Sequence, residues 1–158
     1  HILVDVGPGS FTGLRVGIAA ARALALGWGS TVAGYSSLSL LAAAAFAGGR
    51  EGQIAAMLEG GHGEVFVQSF AAGPVPLDAL ASLKPEAAIA ALGDRYPVGN
   101  GVHWLQQVAP DLAGQPALPD ARDALLLPEA LQTLPARPVY GRAPDAKLPG
   151  GRVPEPAA

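Results

Sequence analysis

The chain of 158 residues has no cysteine, and only three of its residues are histidine. Without cysteine there is no disulfide bond, no thiol nucleophile and no metal site built on thiolates. His1, His62 and His103 are far apart, and the metalloprotease spacing His-Glu-x-x-His does not occur. Neither thiol chemistry nor a metalloprotease of that kind is therefore expected.

A basic surface is also lacking. Ten lysine and arginine residues stand against thirteen aspartate and glutamate residues, so the formal net charge is −3. Proteins that hold a nucleic acid at physiological salt rely on positive charge that neutralises phosphates. We therefore do not expect this chain to bind a nucleic acid by itself.

Long apolar runs are missing as well. The longest ones, residues 17–28 and 38–47, are too short to cross a bilayer, and Arg22 interrupts the first. The chain opens on HILVDV, without the basic region and the cleavage site of a secretory signal. These features favour a cytoplasmic protein with no membrane span.

Short apolar segments between glycines and prolines are abundant. Hydrophobic residues make up 50% of the chain, which is enough for a core. The patterns predict strands at 2–6, 31–33, 53–58, 64–70 and 96–99, and helices at 13–26, 36–47, 85–92, 102–108 and, in parts, 121–134. This mixture indicates an α/β fold, with a boundary between two lobes near 48–52 and an extended tail at 148–158.

The predicted helix at 13–26 is apolar on almost every side. Its two apolar stripes are Gly13, Gly17, Ala20 and Leu24, and Leu14, Ile18, Ala21 and Ala25. Its polar edge consists of Arg15 and Arg22. A helix with so little polar surface is expected to be covered by its own sheet and by something else.

The loop before this helix is rich in small residues and follows a predicted strand. Such a loop can bind phosphate through backbone amides at a helix N-terminus, which makes candidates of Gly7, Gly9, Ser10, Thr12 and Gly13. The P-loop spacing fails, because no Gly-Lys-Ser/Thr follows and the first lysine in the chain is Lys84. A tight structural turn is the alternative interpretation.

Residues 7–17 read GPGSFTGLRVG, which resembles the signature of the TsaB family, whose members were once labelled glycoprotease-like. Later stretches resemble the family in the same order: GYSSL at 34–38, GEVF at 63–66, VGNG at 98–101 and PVYGRAPDAK at 138–147. Relatives commonly carry Asp-Ala-Arg in a hairpin turn where this chain has EGGH at 59–62. They also usually have a strand, a hairpin and a helix upstream of the signature.

The resemblance implies an actin-like ATPase (ASKHA) fold of two ribonuclease H-like lobes. On this basis we expect residues 1–50 to be the remainder of an incomplete first lobe and residues 51–147 to form the second. The family is regarded as inactive and pairs with the catalytic subunit TsaD. With the ATPase TsaE, this pair transfers threonylcarbamoyl to the tRNA adenosine beside the anticodon.

The resemblance also implies that a helix of the first lobe, here the one after Gly13, makes the contact with the partner. We expect Leu14, Arg15, Ile18, Ala21 and Arg22 to take part in it. No catalytic or metal-binding residue and no firm cofactor is assigned to the chain itself, and ATP or ADP is expected at most in the partner complex. The same apolar helix can pair with a second copy when the partner is absent, and tRNA is reached only through the complex.

Two enzymatic alternatives remain open in the sequence. An ASKHA-type ATP-binding enzyme or switch would use the glycine loop for phosphate. A glycoprotease would need a nucleophile with a base or a liganded metal, and neither pattern is visible. His62 and Glu64 near the predicted hairpin turn could form an acid–base pair, although polar residues in a glycine-rich turn are usually only solvated.

Overall fold

The computed structural model describes residues 1–141, so the predicted tail at 148–158 lies outside the described residues. In chain order the elements are β1 (Ile2–Asp5), α1 (Phe11–Trp28), β2 (Val32–Tyr35), α2 (Ser37–Ala47), β3 (Ile54–Gly61), β4 (Glu64–Ala71), β5 (Val75–Pro76), β6 (Ala81–Leu83), α3 (Pro85–Leu92), β7 (Tyr96–Val98) and α4 (Val102–Val108). Two short 3₁₀ helices follow, Ala121–Leu126 and Glu129–Leu131. Among the described helices, none is both long and apolar enough to cross a membrane.

The first sheet is a parallel pair, β1 and β2, with α1 as the crossover between them. The Ser10 side chain caps α1 by accepting a hydrogen bond from the Gly13 amide, at 3.3 Å. Because the cap is Ser10, the helix begins at Phe11, two residues before the predicted start, and Thr12 lies in its first turn. The helix ends at Trp28 and is capped by Gly29, whose left-handed backbone (φ 61°) is a conformation that glycine adopts readily.

The second sheet has five strands, in the order β5-β4-β3-β7, with β6 also paired to β4. Strands β3 and β4 form an antiparallel hairpin and reach further than predicted. Only His62 and Gly63 lie between them, and the pairing register shifts between Glu59 and Gly61, which identifies a β-bulge. Helices α3 and α4 contact the side of this sheet where Met57, Val65 and Leu105 pack together.

Helix α2 lies between the second sheet and the rest of the molecule, and nearly all of its residues are buried. Leu38, Leu41 and Ala45 pack against the second sheet. On another side of the helix, Leu40 and Ala43 pack against the first 3₁₀ helix and Tyr35. A boundary near residue 50 therefore remains a prediction, because α2 precedes that point in sequence but packs against strands that follow it.

The chain returns to the first sheet at its far end, in residues 134–141, which we call the strap. Leu134 and Gly34 exchange backbone hydrogen bonds of 2.6 and 3.1 Å, and the Val139 amide donates to the Val6 carbonyl at 2.7 Å. A β-carbon on Gly141 would lie 2.4 Å from the Phe66 ring, so the strap ends against strand β4. The strap therefore connects the first sheet with the second.

Candidate functional site: the loop before α1 and its exposed face

The loop between β1 and α1 is closely packed at its start. Gly7 has φ +109°, and a β-carbon there would lie 2.8 Å from the Val139 carbonyl oxygen and 2.9 Å from Leu14 Cδ1. Both the backbone conformation and the lack of space require glycine at this position. The Gly7–Pro8 peptide is cis, and Pro8 is buried. The loop is thus held between the strap and the first turns of α1.

A carboxylate that the sequence patterns did not single out organises this loop. The Asp5 side chain accepts hydrogen bonds from the Gly7 amide at 2.7 Å and from the Ser37 hydroxyl at 2.7 and 2.8 Å. Burial raises the pKa of Asp5 above its ordinary value, while the hydrogen bonds from Ser37 and Gly7 lower it. The signal available in the sequence was a single acidic residue in the otherwise apolar run at 2–6.

Three of the five candidate phosphate-binding residues already take part in hydrogen bonds within the chain, and the other two are exposed. The Gly7 amide already donates to Asp5, and the Ser10 hydroxyl accepts from the Gly13 amide. Gly9 and Thr12 are exposed. The charged group nearest the start of the loop is therefore the chain's own carboxylate, which would repel a phosphate when ionised. Nucleotide binding by this loop remains a prediction.

The sheet-facing side of α1 contains two of the residues that are predicted to contact a partner. Ile18 and Ala21 are 4% and 7% exposed, and Ile18 packs with Val6 and Ala136. Leu14 is half-buried against Gly7. Ile18 and Ala21 are therefore core residues of this chain, because α1 turns this stripe toward its own sheet. Of the predicted contact residues, Arg15 and Arg22 are exposed.

The opposite side of α1 is apolar and faces outward. Val16 is 64% exposed, Leu26 87% and Trp28 68%. We define the outer face of α1 as the exposed residues Val16, Ala19, Ala20, Ala23, Leu24, Leu26, Gly27 and Trp28. Half of these residues are alanine or glycine, and the other half have large apolar side chains. Helical periodicity predicted that α1 has two apolar stripes, but it did not identify which one faces the sheet.

At the N-terminal end of α1, along the edge of the outer face, three side chains form a cluster that we call the clasp: Phe11, Arg15 and Tyr140. The Arg15 guanidinium carbon lies 3.7 Å from the centre of the Phe11 ring, and Arg15 Nε donates to the Tyr140 hydroxyl at 3.0 Å. The Phe11 and Tyr140 ring centres are 5.4 Å apart. Tyr140 belongs to the strap, so the clasp joins residues that are distant in sequence.

The hairpin turn shows a set of structural hydrogen bonds. The Ser82 hydroxyl donates to the Glu64 carboxylate at 2.7 Å, and Lys84 Nζ donates to the His62 carbonyl at 2.8 Å. His62 itself is exposed, with φ 52°. These contacts connect the turn with strand β6 and the residue before α3, and they account for the polar residues there without an acid–base pair.

Within residues 1–141, no three His, Asp or Glu side chains come close enough together to hold a metal ion. The histidines lie at the chain start, in the β3–β4 turn and on α4. His1 contacts Thr31, and His103 contacts the Asn100 carbonyl.

Comparisons with known proteins point to one group. Residues 1–109 match the family model described as TsaD, tRNA N6-adenosine threonylcarbamoyltransferase. The tRNA threonylcarbamoyladenosine biosynthesis protein TsaB of Escherichia coli (strain K12) is 32% identical over 170 residues, which cover 91% of this chain and 72% of that protein.

Two solved structures from Pseudomonas aeruginosa are also similar, each with a TM-score of 0.72. The first, an uncharacterized protein with similarity to peptidase YEAZ, is 29% identical, and the match covers 89% of this chain and 73% of that one. The second is YeaZ, 26% identical, with 88% of this chain and 73% of the other covered.

Proposed function

This chain belongs to the TsaB family and has its ASKHA fold, and we propose that it is a non-catalytic subunit that pairs with a TsaD-like catalytic subunit. Family membership supports a role in tRNA threonylcarbamoyladenosine biosynthesis. In this role the chain binds and positions the partner, which performs threonylcarbamoyl transfer to the adenosine beside the anticodon. The outer face of α1 makes the contact.

The observation that carries the proposal is the exposure of large apolar side chains around the outer half of α1. Val16, Leu26 and Trp28 are all mostly in water, along a helix of 18 residues. Contiguous apolar surface of this kind marks interaction sites in soluble proteins, because its removal from water is favourable. A partner helix that covers this face would therefore gain hydrophobic free energy.

The charges on α1 suggest which charges the partner surface carries. Arg15 and Arg22 are the charged residues of the helix, and both are exposed. With two cations and no acidic residue, α1 is best complemented by a surface that carries carboxylates beside its apolar centre. Arginine suits this role because its planar guanidinium binds a carboxylate through two parallel hydrogen bonds.

The wider assembly follows from the same role. A TsaE-like ATPase joins the pair, tRNA is contacted through the complex, and any ATP or ADP is held in the complex. The net charge of −3 is consistent with a chain that does not grip tRNA alone. The site of action is the cytoplasm. A second copy of the chain is the competing occupant of the outer face when the partner is absent.

The first test is size-exclusion chromatography and calorimetry of the protein with a TsaD-like subunit. We expect a heterodimer with the wild type, and none with Val16→Asp, since an aspartate on the outer face would be buried unpaired. Val108→Asp is the matched control, because Val108 is an exposed valine on α4. Arg22→Glu should weaken binding, most strongly at low salt.

The outcomes separate the two classes of function. If Val16→Asp binds the partner as tightly as the wild type does, the outer face is not the contact and the proposal fails. Thermal unfolding of the protein alone with saturating ATP or ADP and magnesium adds a second readout. A clear stabilisation by nucleotide, without any heterodimer, would instead favour an ASKHA-type ATP-binding protein.

A further inference from the structure

The strap reaches the outer face of α1 through a side chain that belongs to neither the helix nor its sheet. Tyr140 lies 125 residues beyond Arg15 in sequence, yet its hydroxyl accepts a hydrogen bond of 3.0 Å from Arg15 Nε. Its ring also packs against Phe11. We propose that the strap is a positioning segment for the docking face, and this inference rests on the proposed function of that face.

The first step of the argument concerns Arg15. A free arginine at an exposed helix position samples many rotamers, and binding must restrict them at a cost in entropy. Here the guanidinium is stacked 3.7 Å above the Phe11 ring and hydrogen-bonded to Tyr140. The clasp therefore holds Arg15 in one orientation before the partner arrives, while leaving its terminal nitrogens available for a carboxylate.

The second step concerns the composition of the clasp. Tyrosine, arginine and phenylalanine are typical of the residues that dominate protein interfaces, and Phe11 and Tyr140 are both largely exposed. Because Tyr140 comes from the strap, the docking face is composite at this end. The partner would contact the helix and the strap together.

The third step concerns how the strap is held. The Val139 amide bonds to Val6, and the Val139 carbonyl lies close enough to Gly7 to exclude a β-carbon there. The strap thus closes over the loop that leads into α1. Its closure and the arrangement of the clasp are one structural event, so partner binding and strap closure must favour each other to the same extent.

The test measures both quantities. For Tyr140→Ala we expect the dissociation constant for the TsaD-like partner to rise about tenfold, as for an interface residue of moderate importance. In the free protein, amide hydrogen exchange at Val139 should accelerate about tenfold as well, because the strap opens more often. Adding the partner to the wild type should slow exchange at Val139, as linkage requires.

Conservative variants keep the test independent of folding. Tyr140→Phe retains the ring packing and loses only the hydroxyl. Its dissociation constant and its exchange rate at Val139 should therefore lie between those of the wild type and of Tyr140→Ala. Arg15→Lys should weaken binding, because lysine cannot both stack and donate through a fixed planar group. Arg50→Lys is the matched control, because Arg50 makes a similar contact elsewhere in the chain. Its guanidinium carbon lies 3.8 Å from the centre of the Tyr96 ring, and Tyr96 packs against the core of the second sheet.

Each outcome has a distinct meaning. If Val16→Asp abolishes binding while Tyr140→Ala and Arg15→Lys bind like the wild type, the docking face stands and the positioning role of the strap is refuted. If exchange at Val139 does not change in Tyr140→Ala, the clasp does not hold the strap and the inference also fails. If Val16→Asp itself binds normally, the proposed function fails and this inference fails with it.

Discussion

The orientation of α1 can be tested in the protein alone with two neighbouring substitutions, Ile18→Ala and Val16→Ala. Ile18 is almost fully buried, so its replacement removes three carbon atoms from the core, at about 0.8 kcal/mol for each. A cavity beside Val6 and Ala136 adds to this loss, which brings the total to about 3–4 kcal/mol.

The second substitution removes side-chain atoms that are mostly in water already. Val16→Ala should change the free energy of unfolding by less than about 0.5 kcal/mol, and the better helix propensity of alanine acts in the stabilising direction. In urea, with a slope of about 2 kcal/mol per M for a domain of this size, the Ile18→Ala midpoint should fall by about 1.5–2 M. The Val16→Ala midpoint should stay close to that of the wild type.

The assay is urea unfolding followed by far-ultraviolet circular dichroism, at two protein concentrations. The concentration series is the control for self-association, because a dimer that forms through the outer face would make Val16 contribute to stability as well. If Val16→Ala lost as much stability as Ile18→Ala at both concentrations, α1 would present its other side to the sheet. The assignment of the outer face would then be wrong.

Three further substitutions test the loop, the first sheet and the outer face. The raised pKa of Asp5 means that its contribution to stability is fully present below the unfolded value near 3.8 and is lost as pH rises through the folded value. Urea unfolding from pH 3 to 7 should therefore show Asp5→Asn gaining stability relative to the wild type as pH rises, and the opposite trend would contradict the assignment. Gly34→Ala should cost more than about 2 kcal/mol, because its β-carbon would lie 2.4 Å from Val6 Cγ1, and a wild-type melting temperature would refute the close contact. Gly27→Ala, with no atom within 4 Å, should stabilise the free protein by about 0.5–1 kcal/mol yet weaken partner binding in calorimetry, and unchanged binding would place Gly27 outside the contact.

Local chemistry made several elements predictable from the sequence. Helices α3 and α4 begin and end at the predicted residues, because Pro85 starts one and the glycine turn at 99–101 precedes the other. The serines at 36 and 37 precede α2, and Ser36 caps the helix by accepting a hydrogen bond from the Leu38 amide. In each case the signal lies within a few residues of the element that it defines.

The features that sequence patterns missed depend on residues far apart in the chain. Strands β5 and β6 have two and three residues, too few for periodicity, and exist because β4 offers them a free edge. For a similar reason the sequence did not show that Ile18 is buried within this chain, and its predicted contact with a partner stays a prediction. Both stripes of α1 are apolar, and only the position of the sheet decides which one is buried. The contact between Arg15 and Tyr140 leaves no local trace in the sequence.

The strap has a consequence for the order in which the protein folds during synthesis. The second sheet and α2 are built from residues between 37 and 98, so this part can assemble while the remainder of the chain is still in the ribosome. The contacts between the first sheet and the strap must wait, because Gly34 and Val6 form backbone hydrogen bonds with Leu134 and Val139, which are synthesised after both sheets. Contacts between such distant residues close large loops and form slowly. Until they form, the loop before α1 lacks its cover, and α1 rests on a first sheet whose contacts with the strap are still missing.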